Sequence, residues 1–196
     1  MNGDSIDAYE THARAFLAAR DRSTVGVAVV KRWARSLPAG AEVLEIGCGG
    51  GYPVTRTLVD AGLRVFAVDA SPTLLTEFAA RFPDLPTECA AAQTAACFAR
   101  QFDAVIAIGL VFLLDADDQA ALIERMATLL VAGGRGLFTA PLEPGTWADV
   151  TTGHACLSLG EARYSTLLHG AGCRIVATRA DEGRNNYYDV QRVERS

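Results

Sequence analysis

The sequence predicts an α/β fold with a mostly parallel sheet, because short apolar runs alternate with longer segments of helical periodicity. The run 43–46 is apolar apart from one carboxylate and leads directly into the glycine-rich stretch 47–51. A second apolar run, 64–68, ends at Asp69, and 102–108 is the clearest of these runs. Buried parallel strands have this near-continuous apolar character. The three runs therefore indicate strands of one sheet.

The composition is that of one globular domain with a small-molecule partner. Of the 196 residues, 50% are hydrophobic and 21% are charged, which excludes wholesale disorder. The net charge of −5 leaves no general basic surface, so we do not expect nucleic acid as a partner. No apolar run approaches the ~20 residues that span a bilayer, and residues 1–5 lack the features of a signal peptide. We expect a cytoplasmic protein with no membrane partner, and the sequence leaves its oligomeric state open.

Cysteines and histidines are scattered along the chain. The five cysteines include no Cys-x-x-Cys pair, and the three histidines have no ligand spacing with them. We therefore predict reduced, mostly buried thiols and no metal site.

Two helices are predicted ahead of the first strand. Residues 7–20 carry apolar side chains on roughly one face, as in an amphipathic helix. Asp21 and Arg22 interrupt this pattern, and Ser23 is a suitable N-cap for a second helix that Pro38 ends.

Helices and strands alternate after the glycine-rich stretch. Residues 53–61 predict the first crossover helix. Ser71 followed by a proline predicts the capped start of the next helix, and 87–91 predicts a short third strand. Asp115 or Asp117 begins a further helix.

Glycines and a capping box divide the C-terminal part. Gly133 and Gly134 are predicted to end the helix that starts near 115, and 135–140 to form strand five. A capping box, Ser158-x-x-Glu161, predicts the start of another helix. The last two strands are predicted at 173–178 and 186–193.

The glycine-rich turn indicates a nucleotide-type cofactor. Glycines let a ligand lie against bare main chain, and Asp69 stands about 20 residues further on, where a carboxylate accepts hydrogen bonds from ribose hydroxyls. Tyr52 occupies the position that a dinucleotide fingerprint gives to Gly or Ala, which disfavours NAD. The turn supplies no lysine for a β-phosphate, which disfavours ATP.

What remains resembles the first motif of class I S-adenosylmethionine-dependent methyltransferases: Glu45, then 47–51, then Asp69, with Phe102-Asp103 similar to the start of their fourth strand. The resemblance implies a three-layer Rossmann-like sandwich with a seven-stranded, mostly parallel sheet and an antiparallel last strand. It also implies a single domain over 1–196, with a helical cover at 1–40 and an α/β core at 41–196.

The resemblance also implies which residues bind S-adenosylmethionine. An arginine of the N-terminal segment would pair with the methionine carboxylate, although Arg20 and Arg22 also suit solvated cations at a helix end. Gln93 would lie near adenine, where its amide or backbone N–H groups do the reading. The cofactor-binding residues expected are Tyr9, Arg20, Arg22, Glu45, Gly47, Cys48, Gly49, Asp69, Ala70, Ala92, Gln93, Gly109 and Leu110. We further expect residues 7–24 to form a mobile cover that closes on the bound cofactor.

Substrate is expected at the irregular stretch 141–157, which carries Trp147, Asp149 and His154. His154 is the candidate catalytic residue, and the alternative is a surface histidine without a role. The function implied is methyl transfer to a small-molecule acceptor by direct in-line displacement. A nicotinamide-dependent oxidoreductase and a non-catalytic S-adenosylmethionine-binding module are the alternatives.

Overall fold

The computed structural model describes residues 3–149 and 152–193, and their side chains from residue 10 onward. Within these residues the strands are β1 (Glu42–Ile46), β2 (Arg64–Asp69), β3 (Thr87–Cys89), β4 (Phe102–Ala107), β5 (Leu130–Thr139), β6 (Gly145–Ala148), β7 (Ala155–Ser158), β8 (Cys173–Ala180) and β9 (Asn186–Arg192). The α-helices are α1 (Gly3–Arg20), α2 (Val27–Ala34), α3 (Val54–Asp60), α4 (Pro72–Arg81), α5 (Ala116–Leu129) and α6 (Glu161–Gly170).

Seven of the strands form one sheet in the order β3-β2-β1-β4-β5-β9-β8. Strands β1 to β5 pair in parallel, and β9 is antiparallel to both of its neighbours, β5 and β8. The predicted fold class is therefore confirmed, including the antiparallel last strand. Because β1 lies between β2 and β4, the strand order reverses there, and such a switch point is where ligands of open α/β sheets bind.

The core has two layers, one on each face of the sheet. Along β1, Leu44 packs towards α5 and α6, whereas Val43 packs towards α2 and α3; both are fully buried. This alternation follows from the period-2 geometry of a strand whose two faces are both covered. The result is a helix–sheet–helix sandwich.

The second helix starts later than predicted. It begins at Val27 after Gly26, which has a φ of 83°, and Ser23 instead accepts a hydrogen bond from the Val25 N–H at 3.2 Å. The hydroxyl of Tyr187 explains the glycine, because a Cβ on Gly26 would lie 2.0 Å from it. The expected Ser23 cap is wrong, since this long-range contact fixes the turn at Gly26.

The prediction that Gly133 and Gly134 end a helix is wrong. Both lie inside β5, which follows α5 without a loop. A Cβ on Gly134 would lie 2.9 Å from the carbonyl oxygen of Val131 and 3.0 Å from that of Asp103. Because Gly134 has no side chain, the main chains can approach closely here. This is where the pairing register between β4 and β5 shifts.

The predicted capping box is also wrong. Helix α6 begins at Glu161 after Gly160, while the Ser158 hydroxyl donates to the Pro141 carbonyl at 3.0 Å and accepts from the Gly160 N–H at 3.2 Å. The stretch expected to be irregular contains the hairpin formed by β6 and β7. Ser158 is the last residue of β7, so its side chain joins the hairpin to the chain leaving β5.

Candidate active site

A cavity of about 340 Å³ opens beyond the carboxyl ends of β1, β2 and β4. Its wall includes many of the residues predicted from the sequence. Those are Arg20, Glu45, Gly47, Cys48, Gly49, Asp69, Ala70, Ala92, Gly109, Leu110 and Asp149.

The glycine turn lies between two other parts of the cavity wall. Gly47 has a φ of 76°, and a Cβ there would lie 3.3 Å from the Leu110 side chain. A Cβ on Gly49 would lie 3.1 Å from the ring of Phe16 in α1, and one on Gly50 would lie 2.2 Å from Leu17. The glycines therefore let the main chain lie directly beneath α1 and leave the cavity open.

Main-chain N–H groups hold the Asp69 carboxylate beside the glycine turn. Its two carboxylate oxygens accept from the N–H groups of Gly49 at 2.7 Å and Ser71 at 2.9 Å. Burial raises the pKa of this carboxyl, and the N–H groups oppose that shift. The Ala70 N–H also acts on this carboxylate, so main-chain donors occupy part of its roughly four lone-pair sites and the remainder is available to a ligand.

Glu45 forms the floor of the cavity at the end of β1 and is 3% exposed. The hydroxyl of Thr55 donates to it at 2.6 Å. Burial raises the pKa of Glu45 to about 8; the Thr55 hydrogen bond opposes this, the charge of Asp69 adds to it, and Arg20 opposes it. Burial likewise raises the pKa of the Cys48 thiol. The protonated, neutral form of both groups is therefore favoured at neutral pH.

Polar contacts hold helix α1 to α4. The carboxylate of Glu10 accepts from the hydroxyls of Ser71 and Thr73 at the start of α4. At the other end, Arg81 donates to both carboxylate oxygens of Asp21, at 2.7 and 2.8 Å. The same arginine donates to the Gly50 carbonyl at 3.1 Å. Arg81 therefore links Asp21, which directly follows α1, to the glycine turn.

The predicted residues of the N-terminal segment have different positions. Arg20 lines the cavity, and its charge acts on both Glu45 and Tyr187. Arg22 is not among the described residues that line the cavity. Its Nε donates to the Ala18 carbonyl at 3.0 Å. Tyr9 is in α1, but its side chain is outside the described residues. Arg20 is therefore the better placed of the two arginines.

In the loop after β3, Ala92 lines the cavity but the side chain of Gln93 does not. The Gln93 amide nitrogen donates to Asp118 at 2.7 Å, and its backbone carbonyl accepts from Arg125 at 3.2 Å. Gln93 thus fastens the loop to α5, and main-chain groups are left to face a ligand.

The β6–β7 hairpin closes the far side. The ring of Trp147 packs against Phe112 at an interplanar angle of 47°, with centroids 5.5 Å apart, and Phe112 lines the cavity. Asp149 also lines it, while accepting from both the N–H and the hydroxyl of Thr152 at 2.8 Å. His154 shapes the hairpin turn: its carbonyl accepts from the Asp149 N–H at 2.7 Å, and its imidazole is outside the described lining. The hairpin therefore brings Asp149, rather than the His154 ring, to the cavity.

Two lining residues near the start of β9 were not predicted: Asn185, which directly precedes the strand, and Tyr187, its second residue. Tyr187 pairs with Thr139 at the end of β5, and the Thr139 hydroxyl accepts from the Gly109 N–H at 2.7 Å. In the sequence, Tyr187 has the pattern of an ordinary core aromatic. Its place at the cavity depends on insertion of β9 beside β5.

No candidate metal site accompanies the cavity: in the part of the chain that the structure describes, no three His, Cys, Asp or Glu side chains group closely enough to hold an ion. The helices within residues 3–149 and 152–193 also include none with the length and apolar character needed to cross a membrane.

Known proteins resemble this chain in sequence. Residues 43–134 match the family described as methyltransferase domain. A stretch of 109 residues is 35% identical to a ubiquinone biosynthesis O-methyltransferase from Xanthomonas axonopodis pv. citri (strain 306). That match covers 52% of this chain and 44% of the relative, so the chain spans less than half of its length.

Solved structures resemble it over most of its length. The magnesium protoporphyrin IX methyltransferase of Synechocystis PCC 6803 with bound S-adenosylmethionine has a TM-score of 0.67 at 19% identity, covering 85% of this chain and 77% of that one. An amino pentose methyltransferase from Micromonospora echinaspora, with the same cofactor bound, has 0.69 at 17%, covering 86% and 90%. The 1,6-didemethyltoxoflavin-N1-methyltransferase of Burkholderia thailandensis has 0.67 at 18%, covering 93% and 87%.

The resemblance predicted from the glycine turn is thus confirmed. The chain has the Rossmann-like fold of the class I S-adenosylmethionine-dependent methyltransferases, and residues 43–134 are its match to the methyltransferase domain family.

Proposed function

We propose that this protein transfers the methyl group of S-adenosylmethionine to a small-molecule acceptor by direct in-line displacement. The observation that carries the proposal is the glycine turn beside Asp69, whose carboxylate is anchored by the Gly49 and Ser71 N–H groups at the mouth of the cavity. Relatives crystallised with S-adenosylmethionine or S-adenosylhomocysteine support the choice of cofactor.

The residues present fit that cofactor. A Cβ on Gly47 or Gly49 would approach Leu110 or Phe16 closely, so the bare turn leaves room where a ligand must pass. Asp69 has lone pairs for ribose hydroxyls, and Arg20 supplies a cation for a carboxylate. Residues 47–51 contain no lysine or arginine to bind a phosphate, and S-adenosylmethionine carries no phosphate.

When bound, the cofactor supplies a methyl group activated by the sulfonium. This chain contributes position and exclusion of water: Leu110 and Gly109 border the cavity at the end of β4, and α1 covers the glycine turn. An acceptor held beyond them needs no covalent intermediate. Positioning is therefore the main contribution that we assign to the protein.

Calorimetric titration tests the proposal. S-adenosylhomocysteine should bind at micromolar strength, and NADH and ATP should not. Heat from NADH alone would favour the nicotinamide-dependent oxidoreductase. Binding of S-adenosylmethionine without turnover of any acceptor would favour the non-catalytic binding module.

Asp69→Ala should weaken S-adenosylhomocysteine binding by about 1.5–3 kcal/mol, the range for hydrogen bonds to a charged group. Asp60→Ala is the matched control, because Asp60 is an exposed partner of Arg56 outside the described lining. Equal affinities of the two variants would make Asp69 a strand-end residue only. Urea unfolding of both variants separates a binding effect from a loss of fold.

We also propose that residues 1–196 form one methyltransferase domain and that its location is cytoplasmic. The contacts of α2 with the sheet support a cover smaller than the predicted 1–40, formed by α1. Cell fractionation tests the location.

A further inference from the structure

A single buried side chain in α5 bonds to both elements that form the far side of the cavity. Gln119 is fully buried. Its amide nitrogen donates to the carbonyl of Leu114 and to that of Leu157, both at 2.9 Å. Leu114 directly follows the short helix Val111–Leu113, and Leu157 lies in β7. One amide group therefore joins this short helix to the β6–β7 hairpin.

Both joined elements carry residues of the cavity wall. Phe112 and Leu113 of the short helix line the cavity, and so does Asp149, which directly follows β6. Trp147 of β6 packs against Phe112, but the indole is still 37% exposed. The Gln119 amide is shielded from water, which strengthens its hydrogen bonds. The position of the hairpin on the wall therefore depends on a residue that is itself not among the described lining residues.

Tyr164 of α6 fixes the orientation of this amide. Its fully buried hydroxyl donates to Oε1 of Gln119 at 2.7 Å and accepts from the Leu159 N–H at 3.1 Å. Burial raises the pKa of Tyr164, so the hydroxyl keeps its hydrogen at neutral pH. A reversed amide would place its oxygen against two carbonyl oxygens, so one orientation alone pairs all of its polar atoms.

We propose that Gln119 is a positioning residue of the active site: its amide holds the hairpin against Val111–Leu113 and thereby keeps Phe112 and Asp149 in place on the acceptor side of the cavity. This inference rests on the proposed function, in which the cofactor lies on the glycine turn and the acceptor occupies the far side. The hairpin wall is then fixed before any ligand binds, whereas α1 responds to the cofactor. Acceptors are selected by their fit to a preformed wall.

Hydrogen exchange of the wild type tests whether the wall is preformed. S-adenosylhomocysteine should slow exchange across α1 and leave that of the β6 and β7 amides unchanged. Equal slowing of the hairpin and α1 would overturn the inference, because ligand binding would then form the wall.

Gln119→Met tests the amide itself, because methionine keeps the length of the side chain but removes both donors and the acceptor. Exchange of the β6 and β7 amides should become faster by roughly 5- to 100-fold, the worth of two hydrogen bonds. The affinity for S-adenosylhomocysteine should be unchanged, since the glycine turn and Asp69 are untouched. Urea unfolding shows how much of the faster exchange comes from global stability.

Tyr164→Phe and Tyr188→Phe form a matched pair. Both remove a hydroxyl from a fully buried ring, and the two rings contact each other with centroids 5.4 Å apart. The Tyr164 hydroxyl bonds to Gln119, whereas that of Tyr188 faces the Pro141 carbonyl at 3.4 Å. Tyr164→Phe should therefore speed hairpin exchange by roughly 3- to 10-fold, the worth of one hydrogen bond, and Tyr188→Phe should not.

Gln119→Glu gives a readout that loss of packing alone does not. A protonated carboxyl accepts from Tyr164 and donates to one of the two carbonyls, whereas an ionised carboxylate has no hydrogen to donate. The hairpin should therefore loosen as the pH rises and this buried carboxyl ionises. Fluorine NMR of fluorotryptophan at Trp147 follows the change. The wild type and Gln119→Met are the controls, because shifts caused by other groups are common to all three.

Three further results would overturn the inference: wild-type exchange rates of β6 and β7 in Gln119→Met, the same rates in Tyr164→Phe and Tyr188→Phe, or a pH response of Gln119→Glu equal to that of its controls. If Gln119→Met does not fold, the tyrosine pair carries the same test. If S-adenosylhomocysteine does not bind, the proposed function fails, while exchange in the free protein still tests the role of Gln119.

Discussion

Helices α1 and α2 both precede the sheet along the chain, yet they are attached to it in opposite ways. Helix α2 buries the apolar side chains Val29, Val30, Trp33 and Ala34. Among the described side chains of α1, Ala13 is the buried one. Polar contacts at the surface hold α1 to α4. They are made by Glu10 in α1 and by Asp21, which directly follows the helix.

The difference separates the core from the cover. Apolar burial stabilises by about 25 cal/mol per Å², so α2 contributes to the global stability. Exposed ion pairs contribute only about 0.2–1 kcal/mol each. We therefore predict that helix α1 detaches from the glycine turn at a lower cost than that of unfolding, whereas α2 does not.

The largest effect is expected from Trp33→Ala, which should lower the free energy of unfolding by about 3–5 kcal/mol because it leaves a cavity between α2 and the sheet. Phe16→Ala in α1 is the counterpart. Phe16 is only half-buried, so the loss of stability should be clearly smaller while S-adenosylhomocysteine binding weakens. Urea denaturation measures both. Equal losses for the two variants would mean that α1 is as much a part of the core as α2.

Two carboxylates extend the comparison to pH. Hydrogen bonds from Ser71 and Thr73 lower the pKa of Glu10 on the cover, whereas burial raises the pKa of Glu45 in the core to about 8. Between its ordinary value near 4.5 and 8, Glu45 holds a proton in the folded state that the unfolded state has released. Its contribution to stability is therefore present below that window and lost as the pH rises through it.

Glu45→Gln should remove this dependence and, above pH 8, stabilise the protein by a few kcal/mol, because no charge must then be buried. Unfolding free energies measured from pH 5 to 9 check the expectation. Glu10→Gln should leave the profile between pH 4.5 and 8 unchanged, since the stabilising effect of Glu10 is lost only as the pH falls below its ordinary pKa of 4.5. A wild-type profile that is flat from pH 5 to 8 would contradict the assignment to Glu45.

The smallest effect concerns the fit of the cover on the glycine turn. A Cβ on Gly50 would lie 2.2 Å from Leu17, so Gly50→Ala should displace α1 and cost about 1–3 kcal/mol of its attachment. Hydrogen exchange across residues 10–20 should become faster, and S-adenosylhomocysteine should slow it less than in the wild type. The double variant Leu17→Ala/Gly50→Ala makes room for the new methyl group and should recover part of the protection. No recovery would mean that Gly50 acts through its own backbone.

The fold and part of the candidate site could be predicted because their signals are local. The apolar run to Ile46, the glycines after it and Asp69 are patterns of neighbouring residues, and strand pairing brings their ends together. Tyr187 could not be found in this way, because its place at the cavity depends on pairing with Thr139 and on Asp181. The β6–β7 hairpin was missed because all residues of β6 are exposed and show no alternation of burial. Gly134 gave a false helix end because a glycine is equally suited to a close approach of two strands.

β9 follows every other strand along the chain, yet it occupies an interior position between β5 and β8. Strands β1, β2 and β4, which carry the glycine turn and Asp69, can pair with one another before residues 186–192 have been synthesised. In a chain growing from the ribosome, the strands of the glycine turn are therefore available for pairing before Tyr187 is, and Tyr187 can join the site only when β9 inserts. The part of the cavity wall that β9 forms is therefore completed only when the sheet itself is complete.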